Sequence, residues 1–472
     1  MTKRRTLFLL ILAAFFLVAD AVHAAPAAAT TFDHDRIVVL ISVDGLAGYY
    51  LDDPKAEMPT LRKLMADGAR AESMKAVSPS VTWPNHTTIV TGVYPAKHGV
   101  VGNNFYDRAA AKKFTLISDP VFDKEQIVKV PTIYDAAHAA GLKTAGIRWP
   151  ATRNAKSLDW QFPDVALFAL MHNCTTPALK SEMTEAGLWA DIDKAKQAGG
   201  KGDAGRWLPS DEMLTKAFNL VLTKHRPNFA MLHLIDVDHI EHLKGPRSPE
   251  AYAAIKSNDA CVAEVWETLQ REFPGKATIF VVSDHGFSPI NKIVLPNVVL
   301  RKAKLLNDVS DEKKGAKPSV RVVVQGGSTM VYILDHDQRT VIAEKVKAAF
   351  NGLEGVAKVA SPEEMSSYGI ADPKADPNAP DMMIFAQLGY AFGDTAAGDL
   401  PFQEKPERKG THGHDPNLPE LHASFLAWGA GIKPGVKVGE IANTQVTPTI
   451  AKLMGLEMSN LDAKPVTEIL AK

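Results

Sequence analysis

Cysteine is nearly absent from this 472-residue chain, with Cys174 and Cys261 as the only two. Such a pair cannot staple a scaffold of this size and carries no spacing signal for a disulfide. It is also too few for a thiolate metal site, so any bound metal must rely on histidine and carboxylate. An excess of either charge is missing as well: 53 Lys+Arg face 54 Asp+Glu, a formal net charge of −1. That balance gives no basic footprint for a nucleic-acid polymer. No apolar run is long enough for a stable membrane span. The one at the N-terminus, Leu7 to Val18, has 12 residues and would rise about 18 Å as a helix, short of a hydrocarbon core of roughly 30 Å. What is present is ordinary: 46% hydrophobic and 23% charged residues, a globular composition that excludes disorder, collagen and coiled coil. The length allows one large domain or two to three smaller ones. The 15 histidines are the feature that leads to chemistry.

The first residues read as a leader. Lys3, Arg4 and Arg5 precede the apolar run, and Val22-His23-Ala24 supplies small residues for cleavage after Ala24. Residues 1–24 are therefore expected to be a signal peptide, residues 25–31 a flexible tether and residues 32–472 the catalytic domain. A periplasmic or secreted location follows from the leader.

Several apolar runs do not alternate, which is the pattern of strands buried on both faces. They are Ile37 to Val43, Phe229 to Ile235 and Thr278 to Val282. Helical patterns lie between them, over Met58 to Gly68, Val130 to Ala140, Asp211 to His225 and Pro249 to Phe273. Strands alternating with helices predict an α/β fold with a mainly parallel central sheet flanked by helices. Two stretches with weaker patterns, near 152–208 and 288–405, read as insertions that could form a lid. The second contains strand candidates Val320 to Gln325 and Thr329 to Leu334 around a Gly326-Gly327-Ser328 turn.

Carboxylates follow the strands. Asp44 comes after the first run, Asp236-Val237-Asp238 after the second, and Ser283-Asp284-His285 after the third. Ligands of open α/β sheets bind outside the carboxyl ends of the strands. Three acids gathered there would repel one another unless a divalent cation lies between them. Each Asp alone could equally cap a helix. Asp238 and His242 share a face if a helical turn begins there, and His412 and His414 lie in a glycine-containing loop. Mixed histidine and carboxylate ligands suit zinc or a similar transition metal. Thr82 precedes Pro84 at an expected helix start, where a hydroxyl would face an anion, or would simply act as an N-cap.

Together these residues resemble the nucleotide pyrophosphatase/phosphodiesterase family of the alkaline phosphatase superfamily. The resemblance is carried by Thr82-Trp83-Pro84-Asn85-His86, Thr91-Gly92-Val93-Tyr94-Pro95 and His98-Gly99-Val100-Val101-Gly102-Asn103. Asp238-His239-Ile240-Glu241-His242, Ser283-Asp284-His285-Gly286 and Gly410-Thr411-His412-Gly413 then follow in the family's order. It implies an alkaline-phosphatase-like fold and two zinc ions. One would be held by Asp238, His242 and His412, the other by Asp44, Asp284, His285 and Thr82. It further implies Thr82 as nucleophile, forming a covalent phospho-threonine intermediate, with Asn103 donating to a phosphoryl oxygen. Trp83 takes the position of an aromatic that stacks on a nucleobase, although a core role is the alternative. His233 takes the position of a second stacking aromatic. His86, His239, His414 and Asp236 are expected outside the direct ligand set.

No arginine of a sulfatase motif follows Thr82, and Arg148 is a lone candidate for extra phosphate charge. A phosphate diester or nucleotide is therefore the expected small-molecule substrate. A phosphomonoesterase, a phosphonate hydrolase and a non-catalytic metal- and phosphate-binding protein are the alternatives.

Overall fold

A run of residues that is apolar at every position must be covered on both sides, and Ile37–Val43 (β1) is buried throughout. In the computed structural model, residues 33–119, 121–190, 192–193, 209–306 and 318–471 are described. The expected leader and tether lie outside them. Eight strands form the main sheet: β1, Ala69–Ala71 (β2), Thr144–Ile147 (β3), Trp160–Phe162 (β4), Phe229–Leu234 (β5), Ala277–Val282 (β6), Phe425–Gly429 (β7) and Val436–Val438 (β8). Their spatial order is β8-β2-β7-β6-β1-β5-β3-β4. From β6 to β4 all neighbours are parallel, and β7 closes that run antiparallel to β6. This is a mixed, mainly parallel α/β sheet.

Alternation along β1 divides the interior into two layers, since successive side chains point to opposite faces. Val39, Ile41 and Val43 pack with residues of the helices Asp211–His225 and Pro249–Glu272, among them Phe218, Val221 and Val262. Val38 and Leu40 pack on the other face with Ile89, Ile133 and Ile450. Truncating Ile41 to alanine should cost roughly 2–5 kcal/mol, the usual range for a buried aliphatic side chain.

The register positions the chemistry. Val43 lies beside Leu234 and Ser42 beside Val282, so the chain leaves β1, β5 and β6 at one edge. Gly45 turns there with φ +76°, and a Cβ at that position would lie 3.1 Å from the Asp238 Cα. Only glycine allows this approach of Asp44 to Asp238.

The stretch 152–208 is not wholly an insertion. Trp160–Phe162 pairs with β3 and extends the main sheet, and Phe162 belongs to its core. Three residues are too few to show a strand period, which is why it escapes a reading of the sequence. Residues 194–208 lie outside the described residues.

The stretch 288–405 carries a second, four-stranded antiparallel sheet of Val320–Val324, Ser328–Ile333, Met382–Ala386 and Val356–Ala360. The anticipated hairpin is present, each strand ending one residue earlier than expected. One face of this sheet packs on the helix Arg339–Phe350 and the other on a cluster that includes Trp83 and Phe105. Cys174 and Cys261 are buried free thiols, with no disulfide between them. No helix among the described residues is long and apolar enough to cross a membrane.

Candidate active site

Helix Thr82–Thr91 (α1) begins with Val81 as its N-cap, and no side chain caps it. Thr82 is thus the first helical residue rather than the cap, and its hydroxyl is spared that duty. Asn85 secures the approach to the helix: its Oδ1 accepts from Val77 N at 2.7 Å and its Nδ2 donates to the Pro79 carbonyl at 3.0 Å. Asn103 Oδ1 accepts the Trp83 N–H at 2.8 Å. That bond fixes the orientation of the carboxamide and leaves its NH2 as the free end. Thr82, Trp83, Asn103, Asp44 and Asp238 line one cavity of about 300 Å³.

Helix Asp236–Lys244 (α2) carries Asp238 and His242 one turn apart. His242 Nε2 lies 3.4 Å from Asp238 Oδ1, and His412 Nε2 lies 3.4 Å from the same oxygen. His412 arrives on a loop that turns at Gly413, where a Cβ would lie 1.9 Å from the Gln325 carbonyl oxygen. The second sheet thus presses directly on this ligand loop. On the other side, His285 Nε2 lies 3.4 Å from Asp44 Oδ1 and 3.1 Å from Asp284 Oδ2. The His285 and His412 rings stack at 3.7 Å.

The three imidazoles share one orientation. His242 Nδ1 donates to Gly410 O at 3.0 Å, His412 Nδ1 to Ser80 O at 3.1 Å and His285 Nδ1 to Gly286 O at 3.2 Å. A carbonyl can only accept, so each Nδ1 bears a proton, and in His242 and His412, whose charged forms burial disfavours, Nε2 turns a lone pair inward. His242 Nε2 and His412 Nε2 then face each other at 3.2 Å with no proton between them.

Burial disfavours charge on His285, but Asp284 beside it more than offsets this and lifts the ring above the ordinary imidazole value. Burial, with Asp284 and Asp238 adding to it, pushes the Asp44 carboxyl well above the usual carboxylate range. Burial also disfavours charge on Asp284, but His285 and His86 more than offset it and hold that group ionised. Burial, and then the charges of His285 and His242, drives His412 well below the ordinary imidazole value. Asp44 Oδ1, Asp238 Oδ1, Asp284 Oδ2 and His285 Nε2 are buried without a hydrogen-bond partner. Orphaned acceptors converging in this way are what divalent cations satisfy. The residues therefore fit a metal centre, in two groups of candidate ligands, Asp238, His285 and His412 and Asp44, Asp284 and His285, that share His285.

Other residues fall where expected or depart from expectation. Asp236 has its N–H taken by Asp211 Oδ2 and stands outside the inward-facing set. His414 bonds to the Tyr390 carbonyl. His86 bridges Ser42 Oγ at 2.8 Å and the Thr82 carbonyl at 2.9 Å, supporting the first turn of the helix. His239 lines the cavity.

His233 is the correction. It is 1% exposed, with Nε2 2.9 Å from Asp44 Oδ2 and Nδ1 3.1 Å from the Arg148 carbonyl. Both nitrogens are committed and the ring lies 4.3 Å from that of His86, so it braces Asp44 at the cavity wall. Trp83 is buried in the apolar cluster with Val100, Val101 and Phe105 while still lining the cavity. Arg148 is fully buried, with Nε 3.2 Å from Asp164 Oδ1. Two residues outside the expected set matter: Gln325 accepts from Asn103 N at 3.1 Å, and Asp211 holds the N–H groups of Ile235 and Asp236 at 2.8 Å.

A family model described as type I phosphodiesterase / nucleotide pyrophosphatase matches residues 38–415. The chain belongs to this family. It is 24% identical over 429 residues to the venom phosphodiesterase of Macrovipera lebetinus, covering 89% of this chain and 43% of that protein. It is 26% identical over 428 residues to human ectonucleotide pyrophosphatase/phosphodiesterase family member 1, covering 89% and 40% respectively. The chain thus spans less than half the length of these relatives. Among solved structures it is similar to an inactive variant of murine ectonucleotide pyrophosphatase/phosphodiesterase 5 in complex with AMP. That match has a TM-score of 0.68 at 19% identity, covering 92% of this chain and 100% of the other. The fold is accordingly alkaline-phosphatase-like.

Proposed function

We propose that the chain is an exported, zinc-dependent phosphodiesterase/nucleotide pyrophosphatase that works through a covalent Thr82 intermediate. The observation that carries this reading is the set of orphaned buried acceptors, Asp44 Oδ1 and Asp238 Oδ1 on the cavity that Thr82 lines and Asp284 Oδ2 behind them, 3.1 Å from His285 Nε2. Asp238, His242 and His412 would hold one cation, and Asp44, Asp284, His285 and the Thr82 hydroxyl the other. When bound, such cations lower the pKa of a hydroxyl and stabilise the attacking and leaving oxygens of an in-line displacement.

The protein's own groups do the rest. Thr82 Oγ1 forms a bond to phosphorus and gives up its proton to solvent. The bond to the leaving oxygen breaks and that oxygen keeps the electron pair. The free NH2 of Asn103 donates to a non-bridging phosphoryl oxygen, where charge is greatest in the transition state. Water then cleaves the Thr82–phosphorus ester and restores the hydroxyl. Gln325 holds the main chain of Asn103 for this purpose.

A diester is favoured over a monoester because Arg148, the lone candidate for extra phosphate charge, lines the cavity already paired with Asp164. Comparing kcat/KM for the p-nitrophenyl ester of TMP with that for p-nitrophenyl phosphate tests this. The diester should be preferred, and preference for the monoester would overturn the reading. A mature protein beginning at Ala25, read by mass spectrometry after expression in a Gram-negative host, is the expected sign of export.

A further inference from the structure

The cavity that holds Thr82 does not end at the reacting groups. It adjoins a larger one of about 640 Å³, and the two share Asn103, Asn104, His242, Arg408 and His412 in their walls. Thr82 and Asp44 line only the smaller. On the reading above, Thr82 attacks from the Asp44, Asp284 and His285 side. An in-line displacement then expels the leaving group toward Asp238, His242 and His412. The larger cavity is walled by His242 and His412 of that set and has the volume of a site for a sizeable ligand.

Its walls contain two cations. Lys113 is committed to an ion pair with Asp394 across the cavity. Arg408 is exposed and makes no ion pair or hydrogen bond among the described residues. It stands at the junction of the two cavities, near enough that its charge bears on His242. Glu407 beside it faces the larger cavity only. An uncommitted guanidinium at that junction matches the oxygens of a second phosphate, to which it can donate two parallel hydrogen bonds.

We infer that Arg408 is a specificity-determining residue that recognises phosphate on the leaving group, so that phosphoric anhydrides are preferred to esters of uncharged or weakly charged alcohols. This rests on the phosphodiesterase reading. It assigns the larger cavity to a phosphorylated leaving group, such as the pyrophosphate released from a nucleoside triphosphate.

The test compares ATP with the p-nitrophenyl ester of TMP in wild type, Arg408→Ala and Arg408→Lys, all metal-loaded. Arg408→Ala should lower kcat/KM for ATP by about 10- to 100-fold, the worth of a charge-assisted hydrogen bond or a pair of them. The TMP ester should change by less than about threefold, since a surface residue with no partners has little structure to support. Arg408→Lys should recover part of the ATP activity. Inorganic pyrophosphate should also inhibit hydrolysis of the TMP ester less well in Arg408→Ala than in wild type. Equal losses on both substrates, no loss on either, or a wild type that cleaves the TMP ester but not ATP would overturn the inference alone. A wild type inert toward both substrates would instead overturn the phosphodiesterase reading.

Discussion

The two halves of the proposed ligand set are built differently. Asp44, Asp284 and His285 sit on the turns that leave β1 and β6, with side chains 4%, 0% and 0% exposed. Asp238, His242 and His412 come from one helical turn and a loop, with side chains 19%, 16% and 7% exposed. The deep half is braced by other side chains and by the Gly45 amide: His233 holds Asp44, while His86 and Gly45 N approach Asp284 at 3.5 and 3.2 Å. Both histidines of the shallow half are braced by main-chain carbonyls, as His285 of the deep half is by Gly286, and the His412 loop is seated against Gln325 at the hairpin turn of the second sheet. The difference teaches a division of labour. On the proposed reading, attack would come from the side of the buried strand ends, and departure would fall to the half that lies nearer solvent.

The strongest way to break this division is Thr82→Ala. It should lower kcat/KM for a nucleotide diester by about 10⁴-fold or more, as losses of a covalent nucleophile do, while leaving both metal sites populated. Loss of the metals with the hydroxyl, seen by elemental analysis, would mean the deep half is not independently assembled. Chelator titration gives the next largest effect. Metal content should fall from two to one per chain before it falls to zero, with the shallow half emptying first and diester hydrolysis lost at that step. Simultaneous release of both cations would dissolve the comparison.

Bracing is tested more gently. His233→Ala should weaken the deep cation by about 10- to 100-fold, the usual cost of removing a residue that orients a ligand. The shallow cation should be retained, and direct metal titration of the apoprotein would separate the two.

The smallest effect lies outside both halves. Burial depresses His98 to about 3, below the ordinary 6.5, so the unfolded chain binds the extra proton. Stability is then full above pH 6.5 and falls as the pH drops toward 3, by up to about 1.4 kcal/mol per pH unit for this group. Urea unfolding between pH 7 and 4 should show that slope, and His98→Gln should reduce it without altering metal content.

Much of this was legible because chemistry and apolar runs adjoin in sequence. Ile37–Val43 reads as a buried strand and ends at Asp44; Thr278 to Val282 does the same one serine before Asp284. Asp238 and His242 are spaced as a helix requires, and the family's motif blocks brought Thr82 and Asn103 to the same place. His233 was misread for a physical reason. Two-residue alternation puts it on the β5 face of Phe229 and Met231, where its ring meets His86 at 4.3 Å and reaches Asp44. A position counted from a ligand does not reveal that direction. Gln325 was beyond reach because its contact with Asn103 spans 222 positions and depends on how the second sheet docks. Arg408 sits in a charged loop with no period, so only the adjoining cavities single it out.

The central claim is that Thr82 becomes covalently attached to the phosphorus it attacks. Acid quenching of metal-loaded protein during turnover of the p-nitrophenyl ester of TMP, followed by peptide mass spectrometry, tests it directly. The account predicts a thymidylyl adduct on the peptide bearing Thr82, absent from Thr82→Ala. Sustained turnover with no adduct in wild type, together with undiminished activity in Thr82→Ala, would contradict it.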